Sequence, residues 1–198
     1  MNVKAQSIMQ EAIAELRFHP KWFQYALLPA AFFEQQIERF KHPERDEDYG
    51  WQHLEHHRYL AFKTVLASYK RLSDEQIQQY IELCQLDEDQ MMASGALRNL
   101  LLWRGFAEGQ YDKIIEHPAF DEPHLQKTIW RNKMSLELES NTVSEAAFTE
   151  ILKKQDATFE RQLVDSVSIS RPQLEVLAEK GISRAVRNIA KNRLGRRQ

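Results

Sequence analysis

The sequence has one cysteine, Cys84, in 198 residues. That excludes an intrachain disulfide, and also a zinc ribbon or an iron–sulfur cluster held by this chain alone. The shortage fits a reducing compartment, so a cytoplasmic location is expected. Glycine and proline number only six each. Sheets with many hairpins need more turn formers, so the composition favours helix. No apolar run approaches the roughly 18 residues needed to cross a bilayer, and no membrane partner is expected. The start, Met1-Asn-Val-Lys-Ala-Gln, lacks the apolar stretch of a signal peptide. What is present is enough chain to bury a core without disulfide or metal staples. The net charge of −2 is unevenly spread. Leu72 to Gln90 holds six acids and no Lys or Arg, whereas Arg171 to the end holds eight Lys/Arg against Glu175 and Glu179. The chain is acidic in the middle and basic at the C-terminus.

Helical spacing appears early. Ile8, Ile13 and Leu16 recur at near-helical intervals, with Ala12 between them, and His19-Pro20 ends that segment. Trp22 to Leu28 reads as a short aromatic-rich helix. Pro29 opens the next, with Phe32, Phe33 and Ile37 on one side. Lys41 to Gly50 reads as a charged loop. Trp51 to Tyr69 reads as a long helix with Leu54, Tyr59, Phe62, Val65 and Leu66 as its apolar stripe.

From Leu72 a pattern recurs. Segments starting at Leu72, Phe106, Val143 and Ile169 each carry apolar residues at the start, five on, and eight and nine on. The starts are 34, 37 and 26 residues apart. Leu28 begins an earlier, less regular unit, broken by Gln36. In the pattern the first apolar residue precedes the cap. Ser73, Ser144 and Ser170 take the N-cap, where a hydroxyl satisfies an orphan amide. Gln76 and Gln173 complete capping boxes, and the apolar residue at +5 staples back over the cap. Short breaks follow at Gln85–Asp89, His117–Pro123, Lys154–Thr158 and Lys180–Ser183, each leading to a second apolar helix. One helix pair cannot bury both its faces, whereas stacked pairs can.

Ile169 to Arg193 has Ser-x-Pro before a helix, then Leu-x-x-Leu-Ala, then Val-Arg-x-x-Ala-x-Asn. These residues resemble the leucine-rich repeat variant and, more loosely, HEAT repeats. Thr128-Ile-Trp-Arg-Asn132 is similar to the closing element around Ile189-Ala-Lys-Asn192. The spacings here are longer and less even than that family's short period. The resemblance implies an all-α fold, a right-handed α-solenoid of degenerate antiparallel helix pairs with N-terminal helices packed on it. Residues 1–70 would form the N-terminal segment and residues 71–198 the repeat region, in one continuous domain. A family of this kind implies a binding scaffold without a universal catalytic residue.

Four groups of residues are candidates for chemistry. His53 and His57 are four apart, a spacing that aims two ligands from one helical face, but zinc needs a third or fourth ligand that no motif supplies. A solvated polar face is the plainer expectation, with no metal and no cofactor. Cys84, beside Ile81 and Leu83, reads as core. Trp103-Arg104 and Trp130-Arg131 close two successive second helices, giving either core-filling tryptophans or an aromatic–cationic stripe for peptides or bases. Lys180, Arg184, Arg187 and Lys191 recur at four, three and four residues and should share one face of the last helix, extended by Arg193, Arg196 and Arg197. Such a face is either a solubilising cap on a terminal repeat or a site for an anionic partner.

These readings lead to a non-enzymatic scaffold for protein–protein interaction with a protein partner. Nucleic-acid binding through the C-terminal cations is the alternative. A helical-repeat DNA-glycosylase-like enzyme, or a metal-dependent enzyme centred on His53 and His57, is the remote extension.

Overall fold

A computed structural model describes residues 3–42, 53–140 and 142–196, with the side chain of Arg196 outside the description. Among the described residues every regular element is helical and there is no strand. The chain forms two compact units, Met1–Thr128 and Ile129–Gln198.

In the first unit lie α1 (Val3–Leu16), α2 (Lys21–Tyr25), α3 (Ala30–Lys41), α4 (Leu54–Ser68), α5 (Asp74–Gln85), α6 (Gln90–Leu102) and α7 (Gln110–Ile115). A 3-10 turn at Pro118–Phe120 leads to α8 (Pro123–Glu139), which continues into the second unit. There α9 (Glu145–Lys154), α10 (Ala157–Asp165), α11 (Arg171–Lys180) and α12 (Arg184–Arg196) follow.

The helix starts follow the local chemistry of the sequence. Ser73 and Ser170 each accept an N3 amide, while Gln76 and Gln173 return a bond to the cap amide, so both capping boxes form. Ser144 caps α9 through the Ala147 amide. Asp89 and Asp156 cap α6 and α10, each accepting two amides. Both members of each expected staple, Leu72 and Ile77, Val143 and Phe148, and Ile169 and Leu174, are buried.

The Phe106 segment departs from the pattern. Its helix begins only at Gln110, after a left-handed Gly109 with φ 72°. Ala107, at the position of the serine caps, offers no side-chain oxygen. The side chain of Gln110 instead accepts the Ala107 amide at 2.7 Å. Tyr111 and Phe106 still meet, ring centroids 5.6 Å apart.

In the first unit α1 packs on α3 and α4, α2 on α5, and α6 on both α4 and α5. A run of edge-to-face rings fills it: Phe18 on Phe33, Trp22 on Phe62, and Phe62 on Tyr80. In the second unit α10 packs on α9 and α12, and α11 on α12. Its core joins Phe148, Ile151, Leu163, Val164, Leu174 and Leu177.

Two glutamines, each four residues after the apolar residue that starts its segment, make the same set of bonds. Gln110 accepts from Ala107, and its amide nitrogen donates to the Leu72 carbonyl at 3.1 Å and to Asp74 at 2.7 Å. Gln173 accepts from Ser170, and its amide nitrogen donates to the Val143 carbonyl at 3.3 Å and to Glu145 at 3.0 Å. Each glutamine thus ties the start of its own segment to the start of the preceding first helix, once in each unit.

Candidate functional site

The C-terminal cations divide into two kinds. Lys180, Arg184 and Lys191 are exposed and make no ion pair among the described residues. Arg187 and Arg193 are half-buried and already engaged. Arg187 donates to the Gly181 carbonyl at 2.6 Å. Arg193 donates to the Val164 and Ser166 carbonyls at 2.5 and 2.8 Å, at the end of α10. Four cations on one face of one helix is therefore incorrect. Lys180 ends α11, Gly181–Ser183 turns the chain, and only Arg184, Arg187 and Lys191 lie along α12. Arg197 and the side chain of Arg196 lie outside the described residues.

The tryptophan–arginine pairs are not equivalent. Trp103 does end its helix, and its indole N–H donates to the Leu66 carbonyl at 2.9 Å, near the end of α4. Its ring covers Gly105 so closely that a Cβ there would sit 2.1 Å from the indole. Trp130 does not close a helix, because α8 continues to Glu139. It is half-buried against Phe159, with centroids 5.2 Å apart. Its indole N–H is buried with no acceptor among the described residues. Arg104 is exposed, whereas Arg131 pairs with Asp156 at 2.5 Å and lies 5.7 Å from the Phe159 ring. Burial opposes ionisation of Asp156, but the Arg131 bond and the helix amides overcome it and hold the carboxyl below its ordinary value. Arg131 thus secures the start of α10.

His53 and His57 do not converge. His53 is exposed in the extended cap position before α4, 3.6 Å from Glu55. His57 is fully buried, its Nδ1 lying 3.1 Å from Gln36 Oε1 and its ring against Phe40. The expected solvated face is corrected here: the α1–α3–α4 packing encloses His57, and the buried Gln36, which looked like a break in an apolar pattern, is its partner. No group of three or more His, Cys, Asp or Glu able to hold a metal occurs among the described residues. Cys84 is fully buried, and burial pushes its thiol well up. Trp51 lies outside the described residues.

Two features were not visible in the sequence. The first is a polar cluster joining α6 to the start of α8. Ser94 Oγ is hydrogen-bonded to His124 Nε2. On the other side of the ring, His124 Nδ1 lies 3.3 Å from Glu122 Oε2. His124 and Glu122 are more than half exposed. Ser94 is thirty residues from His124, so no local motif announces the pair.

The second is a groove of ≈ 580 Å³ in the second unit, between the end of α8, α10 and the turn after it. Leu138, Glu139, Arg161, Asp165 and Val167 line it together with serines. Val167, in the turn after α10, lies on its lip and is 88% exposed. Arg161 and Asp165 pair across one helical turn at 2.7 Å.

Comparison with protein-family models, with curated proteins and with solved structures returns no match to this chain.

Proposed function

We propose that this protein is an α-helical repeat scaffold for protein–protein interaction, similar to the leucine-rich repeat variant and HEAT repeats and arranged as a right-handed solenoid in the cytoplasm. The repeat reading is supported by the twin glutamines: Gln110 and Gln173 occupy the same repeat position, and each makes one bond within its own segment and two to the start of the preceding first helix. Neighbour-to-neighbour bonds of this kind are what stacked units require.

The observation that carries the binding reading is the groove beside α10 with Val167 exposed on its lip. Its volume lies in the range of ligand-sized clefts, and an exposed apolar lip above polar walls suits a partner that inserts a side chain. Affinity capture with wild type and Val167→Asp, followed by calorimetry with the captured protein in purified form, tests it. Loss of that purified partner's binding in the variant supports the groove. Equal binding by both chains removes it.

The exposed, unpaired Lys180, Arg184 and Lys191 favour a second reading, nucleic-acid binding. Titration against labelled single- and double-stranded nucleic acid at low and moderate salt separates it from the first. Salt-sensitive binding lost in the triple Ala variant supports it.

A further inference from the structure

We propose that Ser94, His124 and Glu122 form a solvent-accessible nucleophilic relay that makes Ser94 an acyl acceptor for small activated carboxylic esters. The proposal goes beyond the binding reading and rests on a different part of the molecule.

Ser94 and His124 meet through the atoms the chemistry needs, and Glu122 lies beside the other ring nitrogen. A serine hydroxyl is a poor nucleophile until a base removes its proton in the transition state. His124 Nε2 is hydrogen-bonded to Ser94 Oγ, in position to take that proton. The imidazole must then carry a positive charge while its other nitrogen keeps a proton. Glu122 Oε2 lies 3.3 Å from Nδ1, so a carboxylate charge faces the ring where the positive charge would form. Ser94 sits on α6, while Glu122 and His124 bracket Pro123, the first residue of α8. Two helices therefore hold Ser94 and His124, while Glu122 sits in the bend just before α8. The His124 and Glu122 side chains are 52% and 59% exposed, so a small ester can reach the hydroxyl. Arg98, one turn after Ser94 on α6 and exposed, places a cation on the same side of the helix. Gly95, next in the helix, faces the Tyr59 ring, 3.3 Å from where a Cβ would sit.

In the step proposed, Ser94 Oγ bonds to the ester carbonyl carbon and its proton passes to His124 Nε2. The carbon–oxygen bond to the leaving alcohol or phenol then breaks, and that oxygen takes the proton from His124. The product is a Ser94 ester. Water, with His124 as base, returns the free hydroxyl and a carboxylic acid. The open setting and the helical backbone, whose amides are committed to helix bonds, suit activated esters with good leaving groups.

The test is incubation of the full chain with 4-nitrophenyl acetate and, separately, a fluorophosphonate. Released 4-nitrophenolate is followed in the first and the adduct is mapped by mass spectrometry in both. The expected result is an initial burst of up to one equivalent and a single adduct on Ser94. Ser94→Ala should abolish the burst and the adduct. His124→Gln should slow acylation by about a hundredfold, the low end for a general base, and Glu122→Gln should slow it less. Unchanged circular dichroism and melting would show that the variants fold. Adducts scattered over lysines, or a burst unchanged in Ser94→Ala, would overturn the proposal. Because the adduct is mapped on the wild-type chain, the result does not depend on any variant folding.

Discussion

The buried ion pair of the first unit gives a quantitative test of its packing. Arg58 and Asp87 expose only 5% and 3% of their side chains. Arg58 Nε donates to both Asp87 oxygens, at 3.2 and 3.0 Å, and a terminal nitrogen donates to the Leu16 carbonyl at 3.3 Å. Asp87 also accepts the Asp89 amide at 2.9 Å, just before α6. At about 3 Å and an effective dielectric of about 20, the Coulomb attraction is about 5 kcal/mol, most of which offsets the cost of taking two charges out of water. Asp87→Ala removes the attraction and leaves the cost, because the guanidinium keeps only the Leu16 carbonyl. The expected loss is ~3–5 kcal/mol.

Urea unfolding, followed by circular dichroism and tryptophan fluorescence, should show it. With a slope of about 2 kcal/mol/M the midpoint falls by about 1.5–2.5 M. The double variant Arg58→Met/Asp87→Leu should recover much of the loss, since an apolar pair carries no desolvation cost. An Asp87→Ala loss below about 1 kcal/mol would refute the reasoning, because it would mean that water reaches the pair. A double variant no better than the single one would assign the loss to packing instead of charge.

Leu177 is fully buried, so Leu177→Ala should cost ~2–5 kcal/mol in the same assay; a loss under half a kcal/mol would mean the site is open. Gln173→Ala should cost ~1–3 kcal/mol, because it leaves the Val143 carbonyl and the Ser170 amide without their side-chain partner. Glu160 is buried, and burial raises its carboxyl above the ordinary value although the Ile182 amide, bonded at 2.6 Å, lowers it in part. Its folded form therefore holds a proton more tightly than the unfolded chain, and stability contributed by the protonated group is lost as pH rises through the raised value. Glu160→Gln keeps the acceptor without the charge, so thermal melts should find it more stable than wild type at neutral pH, with the gap closing in acid.

How much of this could be read in the sequence depends on distance along the chain. Ser73, Ser144 and Ser170 were legible as caps because a cap and its amide are three residues apart. The breaks before α6, α10 and α12 were legible for the same reason. The shortened α7 was not, because an apolar pattern at Phe106 conceals that Ala107 cannot cap. His57 looked like surface because its partner Gln36 is 21 residues away, in another helix. Ser94 and His124 are linked only by the packing of α6 near the start of α8. The C-terminal cations show the clearest limit. Their spacing was visible, and the break at Lys180–Ser183 already set Lys180 apart from the last helix, but it was not visible that the carbonyls at the end of α10 claim Arg193.

The division among those cations follows from how helix ends are satisfied. The last carbonyls of a helix lack an intrahelical partner and need a donor from elsewhere. At the end of α4 the donor is Trp103, from the end of the next helix packed beside it. At the end of α10 it is Arg193, from the next helix packed on that one. Gln110 and Gln173 do the corresponding work at the cap ends. A side chain in either role is held by neighbouring backbone and fixes the register between helices. Charge reversal at Arg187 or Arg193 therefore perturbs packing as well as potential, and a loss of binding there would not identify a surface. Lys180, Arg184 and Lys191 carry no such duty, so only they separate a functional anion site from a solubilising end of the fold.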